Sequence, residues 1–137
     1  MESESIIIDS SVIISYFWTQ DSNHSKAIEC FNKLDKFQTI YITNLLVLEI
    51  VTVLSQRIGK IKVQDFVNTF IDKQKEVFVS ENDNKTILNE YLFLQNKNVS
   101  FVDLSTCFIA KKFDIKYIAT FDKHFNKLGK EFGFKVL

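Results

Sequence analysis

Short β-branched or aromatic runs alternate along this chain with longer stretches of helical periodicity, and this alternation limits its folding choices more than any other feature. Ile6-Ile7-Ile8 is the clearest run, and it stops at Asp9. Thr39 to Ile42, Val77 to Val79, Tyr117 to Ala119 and Phe134 to Leu137 have the same strand character. Between the runs, apolar residues return every three or four positions, as in Ala27, Cys30, Phe31 and Leu34, or Val63, Phe66, Val67, Phe70 and Ile71. Helices are expected from Ser10 to Trp18, from Asp21 to Leu34, and from Asn44 to about Ile58, the last capped by Thr43 and ended by Gly59. Others are expected around Val63 to Ile71, through Ile87, Tyr91 and Leu94 with a cap near Asn82, from Ser100 to about Phe113, and briefly from Asp122. Strands alternating with helices predict an α/β protein: three α/β/α layers around a mainly parallel central sheet of four or five strands. Nothing in the chain resembles a linker, so residues 1–137 are expected to form a single domain.

The charge pattern narrows the function. Seventeen acidic residues balance 17 basic ones, so a strongly basic nucleic-acid coat is excluded. Arg57 is the only arginine, which provides poorly for bidentate reading of guanine. The 14 Phe are expected to supply much of the core. Cys30 and Cys107 form no disulfide framework and are expected to be reduced core residues. The N-terminus is acidic, and no stretch has the length of apolar sequence needed to cross a bilayer, so a cytoplasmic location is the expectation.

Most acids fall on polar helix faces. Four do not. Asp9 directly follows the first strand run, and Asp122 stands three residues after the Tyr117–Ala119 run. In parallel α/β sheets, ligands bind beyond the carboxyl ends of the strands. Glu49 is the only charge in Leu45-Leu46-Val47-Leu48-Glu49-Ile50-Val51-Thr52-Val53-Leu54. An ionised carboxylate in such company needs a cation or a cleft. Asp103 opens an apolar helix carrying Leu104, Cys107 and Phe108. Each acid also has a plainer explanation: Asp9 and Asp122 as N-caps, Asp103 in a capping box with Ser100, Glu49 paired with a buried lysine. Clustered carboxylates raise one another's pKa, and a divalent cation removes that penalty. Oxygen-only ligation suits Mg²⁺ or Mn²⁺.

Four segments together resemble the PIN-domain family, and within it the VapC-type toxins of toxin–antitoxin modules: Ile7-Ile8-Asp9-Ser10-Ser11-Val12, Thr43-Asn44-Leu45-Leu46-Val47-Leu48-Glu49-Ile50, Phe101-Val102-Asp103-Leu104-Ser105 and Ala119-Thr120-Phe121-Asp122-Lys123-His124-Phe125. The resemblance implies a PIN-like nuclease fold and Mg²⁺- or Mn²⁺-dependent cleavage of RNA with one or two ions. It places Asp9, Glu49, Asp103 and Asp122 as metal ligands and catalytic acids, with Ser10 and Thr120 in support. It also implies a homodimer and a small antitoxin protein as partners. Ser11 departs from the Asn that many relatives carry there. Lys123, Lys111, Lys112 and Lys116 are candidate RNA contacts, and His124 is either a phosphate contact or an ordinary exposed helix residue. Two alternatives remain open: a PIN-like domain that binds RNA or protein without cutting, and an RNA-processing nuclease unrelated to toxin–antitoxin modules. A phosphate-binding glycine loop is absent, which argues against a nucleotide-binding protein.

Overall fold

The computed structural model describes residues 4–137. Five strands, β1 (Ser5–Ile8), β2 (Thr39–Thr43), β3 (Lys75–Val77), β4 (Tyr117–Ala119) and β5 (Lys135–Val136), form one sheet in the order β3-β2-β1-β4-β5. Every neighbouring pair is parallel. Seven α-helices connect the strands: α1 (Ser10–Phe17), α2 (His24–Lys33), α3 (Asn44–Arg57), α4 (Lys60–Thr69), α5 (Glu81–Phe93), α6 (Phe101–Lys112) and α7 (His124–Phe132). Right-handed crossovers place α1 to α4 on one face of the sheet and α5 to α7 on the other. The packing agrees, with α1 against α2 and α3, and α6 against α5 and α7. The expected three-layer α/β/α architecture is therefore the observed one, and the sheet has the larger of the two strand numbers.

β1 is the centre of the sheet, and Ile6, Ile7 and Ile8 are all completely buried. Helices cover both faces, so the strand is apolar without alternation. α3 begins where Thr43 Oγ1 accepts the Leu46 N–H at 3.1 Å, and it ends before Gly59, whose φ of 94° suits a residue without a Cβ. α5 and α6 lie antiparallel and are joined at both ends. The Tyr91 and Phe101 rings meet edge-on, and Lys112 Nζ donates to both oxygens of Asp83 at 3.0 and 2.9 Å.

Several boundaries differ from expectation for local reasons. α2 starts at His24 rather than Asp21, because Asp21 Oδ2 accepts the Asn23 N–H and holds a turn there. β3 occupies Lys75–Val77, two residues early; the Val79 N–H goes to Asn44 Oδ1 instead of a strand partner. The α5 cap is Ser80, which shares a capping box with Asp83. α7 begins at His124, two residues beyond Asp122. The Phe residues divide. Phe66 and Phe125 are fully buried, whereas Phe78, Phe93 and Phe113 are exposed. Both cysteines are buried and free.

The α7–β5 corner sets a tight limit. A Cβ on Gly129 would lie 2.5 Å from the Phe134 carbonyl oxygen and 3.3 Å from its ring. Gly129→Ala is expected to cost about 1–3 kcal/mol through overpacking, lowering Tm by roughly 3–10 °C. A thermal melt with unchanged Tm would refute this close approach.

Candidate active site

The chain crosses from β1 to β2 and β3 on one side, then returns to β4 on the other. The carboxyl ends of β1 and β4 are therefore the switch point of the sheet, where the diverging connections leave a crevice. Asp9 directly follows β1 and Thr120 directly follows β4, with the Asp9 N–H donating to the Ala119 carbonyl at 2.9 Å. The Asp9 residue is only 4% exposed. It stands at the N-cap position of α1, yet its side chain makes no capping bond. Instead, Oδ2 accepts Ser11 Oγ and Thr120 Oγ1, each at 2.8 Å. Those hydroxyls in turn accept the backbone N–H of Phe121 and of Asp122, both at 3.1 Å. No side-chain donor reaches Asp9 Oδ1. The capping explanation of Asp9 is thus corrected: the carboxylate serves something other than its helix.

Asp103 keeps its plainer role in part. It completes a capping box with Ser100 through Oδ2, which accepts the Ser100 N–H at 3.0 Å. Asp122 Oδ1 accepts from the His124 N–H at 2.9 Å and from His124 Nδ1 at 2.7 Å. Glu49 is half-buried on α3, and among the described residues no lysine or arginine pairs with it. The expectation of uniformly apolar surroundings for Glu49 needs correction. α3 buries Leu46, Ile50 and Leu54 but leaves Leu48 66% exposed. Glu49 sits at an open hollow lined also by Leu45, Leu48, Val53, Phe101 and Val102.

The electrostatics tie the acids together. Burial pushes the Asp9 carboxyl above its usual range; the Thr120 and Ser11 hydroxyls oppose the shift, and the Asp103 charge adds to it. Glu49 is raised by burial and by the charges of Asp9 and Asp103, while the nearby Ser10 hydroxyl works the other way. Asp103 is raised by burial and by Asp122; its Ser100 bonds and His124 lower it. The Cys107 thiol lies beneath this cluster and is pushed up by burial and by the same acids, which keeps it inert. The all-oxygen donor set, its mutual repulsion and the open Oδ1 of Asp9 fit a hard divalent cation. Among the described residues, no three His, Cys, Asp or Glu side chains stand close enough to hold an ion as they are. An ion would have to draw the carboxylates inward.

The supporting residues sort differently from expectation. Thr120 bonds Asp9 directly, as does Ser11, while Ser10 lies toward Glu49. Sequence reasoning passed over Ser11; its position two residues after Asp9, in the first turn of α1, was the available signal. Of the four lysines, Lys123 is beside Asp122. Lys111 and Lys112 end α6, nine residues or more from Asp103, and Lys112 is engaged with Asp83. Lys116 precedes β4 at the opposite edge of the sheet from Thr120 and pairs with Asp114 at 2.6 Å.

Fold and site together define a class: a doubly wound parallel α/β domain with an acid-lined crevice at its switch point. The PIN domain family matches residues 6–131, and the chain belongs to that family. Among solved structures, it is similar to the crystal structure of Mycobacterium tuberculosis VapC20, a sarcin-ricin loop cleaving toxin. The TM-score is 0.81 at 18% identity, covering 90% of this chain and 95% of that one. None of the curated proteins compared matches the sequence.

A carboxyl whose folded pKa is raised binds its proton more tightly in the native state. Stability therefore falls as pH rises through the window above the unfolded value, and the loss persists at neutral pH. Asp9→Asn removes that loss. In metal-free buffer at pH 7, its Tm is expected to rise by about 2–5 °C, with the gain vanishing as the pH drops below the ordinary carboxylate range. A variant less stable at pH 7 than the parent would contradict the electrostatic origin.

Proposed function

We propose that this protein is a divalent-metal-dependent endoribonuclease, hydrolysing RNA phosphodiester bonds as the toxin of a type II toxin–antitoxin pair. One observation carries the reading: a desolvated Asp9 carboxylate, not spent on its helix, lies at the switch point within electrostatic reach of Glu49 and Asp103. Membership of the PIN family and the fold shared with an RNA-cleaving toxin support RNA as the substrate class.

Asp9, Glu49, Asp103 and Asp122 would hold one or two Mg²⁺ or Mn²⁺ ions. Bound there, a divalent ion supplies Lewis acidity and a nucleophilic water at neutral pH. The chain's own contribution is positional. Ser11 and Thr120 fix Asp9 through Oδ2 and leave Oδ1 for ligation. The capping box occupies Asp103 Oδ2 and leaves its Oδ1. A carboxylate not saturated by metal takes the proton from the attacking water. Lys123 is the candidate RNA phosphate contact that remains near the acids. A small antitoxin and a second copy of the chain are the protein partners this reading carries, and the apolar hollow beside Glu49 is the surface it offers them. Among the described residues no helix is long and apolar enough to cross a membrane.

The separation of the acids favours a second reading, a PIN-like scaffold that binds RNA or protein without cutting. Calorimetric titration with Mn²⁺ separates the two. A nuclease is expected to bind the ion and to cleave RNA in Mg²⁺ or Mn²⁺, with cleavage lost in EDTA. Asp9→Asn and Asp103→Asn should each reduce cleavage by about 100-fold or more, the scale on which catalytic groups act. Full activity in EDTA or in either variant would sink the metal mechanism.

A further inference from the structure

We infer that His124 is the residue with which the site distinguishes RNA from DNA, its Nε2 accepting a hydrogen bond from a ribose 2′-hydroxyl beside the scissile phosphate. The inference rests on the ribonuclease reading above and names a specificity determinant for it.

Asp122 Oδ1 lies 2.7 Å from His124 Nδ1. An ionised carboxylate can only accept, so the proton of this bond belongs to Nδ1. The neutral ring then has its lone pair on Nε2, which is an acceptor and not a donor. The His124 side chain is 42% exposed and the Asp122 side chain 31%. The imidazole is therefore anchored at one nitrogen and open to solvent on the rest of its surface. Its position is also fixed relative to the backbone, because the His124 N–H donates to the same Asp122 oxygen at 2.9 Å. Both donors use Oδ1, so Asp122 Oδ2 is spared for other duties. His124 influences Asp103 as well as Asp122. Among the causes of the shifts at Asp9, Glu49 and Asp103, it is the only basic side chain. It thus borders the acids where a backbone phosphate would have to sit.

The chemistry selects the ligand group. A phosphate offers only acceptors, and a neutral Nε2 offers it nothing. A ribose 2′-hydroxyl is the donor that RNA carries next to every phosphate and that DNA lacks. Orienting an imidazole through a carboxylate so that its second nitrogen is presented outward is a familiar physical arrangement.

Two substitutions dissect the ring. The amide nitrogen of Asn overlays Nδ1, so His124→Asn keeps a donor for Asp122 and removes the outward acceptor. The carbonyl of Gln reaches the Nε2 position, so His124→Gln retains an acceptor there. The substrate is a short RNA whose cut bond has been mapped with the parent enzyme in Mn²⁺. Two further copies carry a single 2′-deoxy nucleotide, one on the 5′ side and one on the 3′ side of that bond. In the parent, one deoxy substitution is expected to lower kcat/KM about tenfold, the scale of one directed hydrogen bond. In His124→Asn the RNA should fall to the rate of its deoxy copy, so the ratio approaches one, with Tm and Mn²⁺ binding unchanged. His124→Gln should retain the ratio. A parent insensitive to both deoxy positions overturns the assignment. So does an Asn variant that keeps the parent ratio, or one that loses both substrates equally. If the parent cuts no RNA, the nuclease reading fails and this assignment falls with it; cleavage with unaltered discrimination removes this assignment alone.

Discussion

Everything at the switch point depends on keeping the carboxylate of Asp9 ionised while almost no water reaches it. Removing a charge from water is expensive, and a buried acid normally answers by holding its proton. Here two hydroxyls on one oxygen offset part of that cost. One comes from the first turn of α1 and the other from the end of β4, so the same pair of bonds ties the two diverging connections together. The crevice between β1 and β4 is thereby held at a fixed width by the group that makes it chemically useful.

The remaining acids add strain of the same sign. Asp103 and Asp122 are placed by local rules of helix initiation, and Glu49 by the one-sided packing of α3. None of these placements requires the others, yet together they bring like charges into one neighbourhood. The fold carries this burden because its stability is generated elsewhere, in the wholly buried Ile6–Ile8 strand and in the aromatic packing of Phe17, Phe66 and Phe70. A site that destabilises its scaffold when empty gains from a ligand that neutralises it.

The fold was legible in the sequence because its signals are local and redundant. The run ending at Asp9, the Thr43 cap and the Ser100–Asp103 box each follow from a few neighbouring residues. Boundaries were missed where a side chain captured a backbone group over a short distance, as Asp21 did before α2 and Asn44 did at Val79. The Asp83–Lys112 pair spans 29 positions, and no periodicity announces it. At the site, the strand-end placement of Asp9 was readable, but the choice of Ser11 over Ser10 was not. It depends on the rotation of the first helical turn relative to a strand more than a hundred residues away. Glu49 was singled out correctly as unusual for a reason that proved incomplete: its helix is apolar on a side that the rest of the chain leaves open.

The two hydroxyls have a further consequence. Each has a single proton, and each spends it on Asp9 while accepting a backbone N–H from the segment after β4. The result is a pair of short relays with the same polarity, both running from the peptide groups of Phe121 and Asp122 toward one carboxylate oxygen. Polarity of this kind makes the loop a reporter of the acid. If Asp9 takes a proton, its oxygen becomes a weaker acceptor, and the amide dipoles two bonds away lose their alignment together. The charge of a buried side chain is thus recorded in the backbone of the segment that carries Asp122 and His124.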